Sequence, residues 1–160
     1  MKVYIPTKNI VSDNILKSIS EQTVQSDIEI VICNYPENIP KMECIARAKE
    51  DCRKKAILLP DKFIIIHESD CLDLYTDNFE IMFNFLTVNK DYGAVSLFKD
   101  DNPALTNAVT MYKKEALEKI NFSELLPQCT CMSMIKSLKK NNFDYTFADK
   151  KIRIKHIRSN

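Results

Sequence analysis

The chain is nearly without glycine: Gly93 is the single one among 160 residues. Loops that cradle phosphate in the P-loop and dinucleotide manner need several glycines to bring backbone against the ligand, so both are excluded. Excess charge of one sign is also missing, because 23 Lys and Arg face 22 Asp and Glu for a formal net charge of +1. That balance, with no interleaving of aromatic and basic residues, argues against a protein made to coat nucleic acid or an anionic membrane. No run approaches the ~20 apolar residues of a membrane span. Met1–Pro6 reads as a strand and not a signal peptide, so the expectation is a soluble, cytoplasmic protein with no transmembrane segment. Cysteines at 33, 44, 52, 71, 129 and 131 lack the density of a disulfide scaffold and read as mostly buried thiols. The one-residue gap of Cys129-Thr130-Cys131 does not match zinc-knuckle spacing. Without repeats, low-complexity tracts or linkers, residues 1–160 are expected to form one domain.

What the sequence does contain is an order of short apolar runs. Val3-Tyr4-Ile5 is a strand closed by Pro6 and followed by the polar loop Thr7-Lys8-Asn9. Ser12 or Asp13 can cap a helix with Ile15, Leu16 and Ile19 on its apolar side. Ile28–Cys33 is a second strand ending at Asn34-Tyr35-Pro36. A helix from Pro40 would turn Ile45, Ala48, Cys52 and Ala56 to the core, leaving Arg47 on a solvated face among Glu43, Glu50, Asp51 and Lys54. Phe63–Ile66 is the third strand. Strand, helix, strand with short links implies parallel pairing through right-handed crossovers, half of a Rossmann-like unit. Beyond it the pattern predicts a helix over 77–89, strands over 93–98 and 108–112, helices over 114–120 and 132–140, and a closing strand over 152–156. The fold class expected is α/β, a mainly parallel central sheet flanked by helices.

The third strand stops on Glu68-Ser69-Asp70. Side chains alternate along an extended chain, so Glu68 and Asp70 point the same way with Cα atoms roughly 6.5–7 Å apart. Carboxylates so placed at the carboxyl end of a strand, where α/β sheets collect ligands, can hold a hard cation. A strand ending in a polar turn would use the same residue types. In the closing strand, alternation sets His156 inward with Ile152 and Ile154. Arg153 and Lys155, with Lys150, Lys151 and Arg158, form a basic edge, by default a solvated one.

Taken together, these stretches resemble a family-2 glycosyltransferase of the GT-A fold over most of the chain. Pro6-Thr7-Lys8-Asn9 followed by Ser18–Thr23 is similar to the family's opening strand, nucleotide-touching loop and Ser-x-x-x-Gln-Thr helix end. Ala46-Arg47-Ala48 to Ala56 resembles its Ala-Arg-Asn helix, Glu68-Ser69-Asp70 its Asp-x-Asp motif, Met111–Ile120 its Arg-Arg-x-Ala-Leu segment, and Lys155-His156-Ile157 its terminal histidine. The resemblance implies a metal-dependent transferase taking a sugar from a nucleoside diphosphate donor, UDP-type first, to a glycan, lipid or protein acceptor. It implies Mn2+ or Mg2+ held by Asp70 and His156, with Glu68 on ribose, sugar, metal or metal-bound water. It also places Pro6, Thr7, Asn9, Asn34, Arg47, Glu68, Ser69 and Asp70 around the nucleotide-sugar.

Three departures from the family qualify what this implies. Asn34 stands where an Asp usually meets the uracil and ribose. Glu68 replaces the first Asp of the motif. The acidic pair that supplies the family's catalytic base is absent from Gln128-Cys129-Thr130-Cys131-Met132, leaving Glu124 and Asp101 as substitute candidates. The alternative expectation is a catalytically silent module of the same fold that binds a nucleotide or a glycan.

Overall fold

A computed structural model describes residues 1–36, 38–99, 107–124, 126 and 129–157. The elements run β1 (Lys2–Thr7), α1 (Asp13–Ser20), β2 (Asp27–Ile32), α2 (Lys41–Ala56), β3 (Phe63–His67), β4 (Cys71–Asp73), α3 (Asn78–Val88), β5 (Tyr92–Lys99), β6 (Val109–Lys113), α4 (Lys114–Leu117), α5 (Thr130–Lys140) and β7 (Asp144–His156). Among the described residues the strands form one seven-stranded sheet in the order β2-β1-β3-β6-β5-β7-β4.

The first half is the expected unit, with β1 parallel to both β2 and β3. β1 and β3 are apolar on both faces because helices cover both, whereas the edge strand β2 leaves Ile30 and Ile32 exposed. Val3 and Ile5 of β1 and Ile65 of β3 enter the core beside α1 and α3. Tyr4, Ile64 and Ile66 enter a second core beside α2, α4 and α5. Such two-sided burial reads in sequence as an uninterrupted apolar run.

The second half corrects the expectation of a mainly parallel sheet. β6 lies between β3 and β5 and is antiparallel to both, and β4 is antiparallel to β7, while β5 and β7 are parallel. The physical reason is the connection. Only residues 100–108 lie between β5 and β6, fewer than a parallel crossover needs, so the two strands pair antiparallel.

The closing strand also differs from expectation. It begins at Asp144, and its pairing with β5 shifts register between Ser96 and Lys99. Irregular pairing of this kind breaks strict alternation. Ile154 is buried as expected, but Ile152 is exposed and Arg153 is buried. Arg153 is retained inside by ion pairs to Asp77 at 2.6 Å and Asp149 at 2.7 Å, so it is not part of a solvated edge. Lys151 lies over the Tyr75 ring, and Arg158 falls outside the described residues. Cys129 and Cys131 are joined as a disulfide at the start of α5, whereas Cys33, Cys44, Cys52 and Cys71 are free and buried.

Lys113 and Lys114, in the stretch similar to an Arg-Arg segment, stand where β6 passes into α4, at the far end of β6 from Glu68. Lys113 Nζ donates to the carbonyls of Asn89 and Lys90 just past α3, and Lys114 Nζ to that of Leu59 just past α2. These cations satisfy carbonyls of the segments that leave the two helices.

Candidate functional site

The carboxyl ends of β1, β2 and β3 open onto a cleft of about 1030 Å3 whose lining includes Pro6, Thr7, Asn9, Glu68, Ser69, Asp70 and His156. β3 ends here because Glu68 leaves the strand, its N–H still donating to the Ala108 carbonyl at 2.8 Å. The turn is closed by the Cys71 N–H on the Glu68 carbonyl at 3.2 Å. β4 then pairs with β7, setting Cys71 opposite His156. The Ile157 N–H donates to the Asp70 carbonyl at 2.7 Å. Backbone pairing thus brings the end of the chain to the acidic pair.

The side chains meet as well. His156 Nε2 is 2.8 Å from Asp70 Oδ2, with Asp70 half exposed and His156 about one quarter exposed. Glu68, Asp70 and Cys71 each present a possible ligand atom within 4.8 Å of the others. Burial pushes the Cys71 thiol well above its usual range, aided by Glu68 and Asp70, so it stays protonated and is a poor ligand. The donor set left is two carboxylates and an imidazole, oxygen-rich and open to solvent, which suits Mg2+ or Mn2+ and not a closed thiolate site.

Glu68 has a partner that sequence reasoning missed. Lys49 of α2 is 1% exposed, and its Nζ donates to Glu68 Oε1 at 2.9 Å, Asn107 Oδ1 at 2.7 Å and the Asn107 carbonyl at 3.0 Å. Burial alone would raise the Glu68 carboxyl, but the ammonium beside it outweighs burial and holds it below the usual range. Lys49 lies one helical turn from both Ile45 and Cys52, on the stripe already expected to face inward. That position was the available signal.

Two residues expected around the nucleotide-sugar are absent from the cleft lining. Arg47 is exposed and bonded to Glu43, Nη2 to Oε1 at 2.6 Å, and Asn34 is exposed; among the described residues neither lines the cleft. The i,i+4 carboxylate holds the guanidinium on the solvated face that helical periodicity assigns to it. Lys41 and the buried Lys49 are the α2 cations that line the cleft instead. Thr7 Oγ1 donates to the Asn9 carbonyl and accepts the Asn9 N–H, shaping the loop after β1. At the cleft's other end the Tyr35 hydroxyl bonds to Asp51, and burial followed by that carboxylate raises the phenol above its ordinary value.

Of the two substitute bases, Glu124 does not lie at the acidic pair. Glu124 accepts from Ser137 Oγ at 2.9 Å and pairs with Lys136 at 3.4 Å, and it does not line the cleft. Asp101 lies outside the described residues. Among the described residues no helix is long and apolar enough to cross a membrane.

No protein-family model matches the sequence, and no curated protein matches it. Solved structures do match. A mannosyltransferase from Pyrobaculum calidifontis, in complex with GDP-Man and Mn2+, superimposes with a TM-score of 0.69 at 16% identity over 98% of this chain and 56% of its own. A glycosyltransferase involved in glycosylation of the major capsid of PBCV-1 gives 0.64 at 11% identity over 99% of this chain and 94% of its own. Glucosyl-3-phosphoglycerate synthase from Mycobacterium tuberculosis, with Mn2+, UDP and glucosyl-3-phosphoglycerate, gives 0.63 at 9% identity over 99% of this chain and 72% of its own. The chain therefore spans little more than half of the mannosyltransferase. These superpositions cover nearly all of the described fold, and this chain has the GT-A fold of glycosyltransferases.

Proposed function

We propose that the protein binds a nucleoside diphosphate sugar, UDP-type, together with Mn2+ or Mg2+, and transfers the sugar to a glycan, lipid or protein acceptor. The observation that supports this reading most is the convergence of Asp70, Glu68 and His156 at the mouth of one cleft. Asp70 and His156 would hold the cation. For His156 this requires a neutral imidazole, its Nε2 proton given up from the bond to Asp70. A bound divalent ion supplies charge that stabilises a departing diphosphate without a proton.

The chain's own residues do the rest. Glu68, one oxygen fixed by Lys49, offers Oε2 to a sugar or ribose hydroxyl. Thr7 and Asn9 present the loop against which the nucleoside lies, and Pro6 with Ser69 completes the wall. Lys49 keeps Glu68 ionised and adds positive charge beneath the diphosphate.

A second reading, a binding module without transfer, is favoured by one observation: Glu124 is tied to Ser137 and Lys136 and does not line the cleft. A donor panel with Mn2+ decides between them. Transfer or hydrolysis from one nucleotide-sugar, lost in Asp70→Ala, supports the enzyme. No turnover, with a Mn2+-dependent rise in melting temperature on adding UDP, supports the module. Neither turnover nor such a rise removes both.

A further inference from the structure

The loop that carries the acidic pair is closed by a buried polar chain that the proposed chemistry does not use. His67 is fully buried at the end of β3, and its Nε2 lies 3.0 Å from Asp73 Oδ2 in β4. Its Nδ1 lies 2.9 Å from the Glu68 carbonyl oxygen. Both neighbours are acceptors, so both ring nitrogens carry protons and the pair is an imidazolium on a carboxylate.

Asp73 continues the chain. Its Oδ1 accepts from Asn78 Nδ2 at 2.7 Å, and its N–H reaches Ser18 Oγ at 3.4 Å. Asn78 Nδ2 also donates to the Arg153 carbonyl at 3.2 Å, and Arg153 Nη1 lies 3.4 Å from Asn78 Oδ1. Arg153 stands in β7 three residues before His156. One hydrogen-bonded chain thus joins the strand before Glu68 to the strand bearing His156, bracketing Glu68, Ser69 and Asp70 between His67 and Asp73.

We propose that His67, Asp73, Asn78 and Arg153 are positioning residues that set the distance between Asp70 and His156. The proposal rests on the metal-binding reading above for its consequence, though not for its geometry. A salt pair sealed from water adds little net stability against apolar replacement, but it fixes direction in a way that apolar contacts do not. That makes the chain a device for placement. A shift in β4 relative to β7 would move Asp70 and His156 together or apart while leaving the apolar core intact.

The test is the double variant His67→Phe/Asp73→Leu, which replaces the pair with apolar groups of similar bulk. The sequence has 2 histidines, so His156 is then the sole one and its ring signals are unambiguous. Three readouts are taken on the full chain: melting temperature, Mn2+ affinity by electron paramagnetic resonance, and the 15N shifts of the His156 ring without metal. The expected result is a melting temperature within a few degrees of the parent and a Mn2+ affinity weaker by ~10–100-fold, as for lost outer partners of metal ligands. The His156 ring should also lose the signature of its bond to Asp70.

A folded double variant with the parent's Mn2+ affinity and ring shifts overturns the proposal. A parent that binds no Mn2+ overturns the metal-binding reading, and the metal-free ring shifts still decide the positioning role. Should the double variant not fold, Asn78→Ala interrupts the chain while keeping both charges, and the same two readouts should move in the same direction.

Discussion

His156 Nε2 lies 2.8 Å from Asp70 Oδ2 although the residues are 86 positions apart. The contact follows from the β4–β7 pairing that sets Cys71 opposite His156. It joins the last strand to the acidic loop, with both side chains partly open to solvent.

Exposure makes this pair separable from stability. His156→Ala and Asp70→Asn should each change unfolding free energy by less than ~0.5–1 kcal/mol, as for exposed ion pairs. Each should nevertheless remove most of the Mn2+-dependent thermal shift with UDP. Melting curves with and without Mn2+ read both quantities, and a retained shift in both variants would remove the metal from this pair.

Lys49 is the opposite case, since its ammonium is buried. Lys49→Met leaves Glu68 without its cation, and breaking such a pair costs about 3–5 kcal/mol when fully buried. Glu68 is 27% exposed, so the loss should fall at or below the lower end of that range. Lys49→Met/Glu68→Gln should recover part of it. Urea unfolding of the two variants reads the difference, and equal destabilisation would mean that Lys49 acts by packing alone.

The His67–Asp73 pair gives a pH dependence with a definite sign. Burial lowers the His67 pKa, but Asp73 and the Glu68 carbonyl outweigh it and raise the value above its ordinary 6.5. The folded state therefore holds the proton more tightly than the unfolded chain. The contribution is complete below the unfolded value and is lost as pH rises through the folded one. Urea midpoints should fall as pH rises above about 6.5 in the parent and fall less in His67→Phe/Asp73→Leu. Parallel profiles would assign the pH effect elsewhere.

Gly93 has a packing reason to be glycine. A Cβ there would lie 2.7 Å from Ala116 Cβ and 2.8 Å from Phe143 Cβ. Gly93→Ala should cost about 1–3 kcal/mol through overpacking. At roughly 2–4 °C per kcal/mol for a chain of this length, calorimetry will resolve it. No fall in melting temperature would show that α4 can move away from β5.

Much of the architecture was legible beforehand because it is local. The apolar runs of β1, β2 and β3, the polar stop at Glu68-Ser69-Asp70 and the helical spacing of α2 are patterns within a few residues of one another. Those same patterns placed Arg47 on the solvated face, which the resemblance to Ala-Arg-Asn had set aside. The antiparallel return of β6 was not expected, although only residues 100–108 separate it from β5.

The sequence by itself therefore determined the strand–helix order apart from β4, the two-sided core and the acidic pair at the cleft. Tertiary structure decided which cation meets Glu68, that Arg153 is inward and paired, and that Glu124 bonds to α5 and not at the cleft. Those outcomes depend on what lies opposite each side chain from distant segments: Asn107 for Lys49, Asp77 for Arg153 and Ser137 for Glu124. A buried charge is stable only beside its partner, and the partner is supplied by the fold and not by neighbouring sequence.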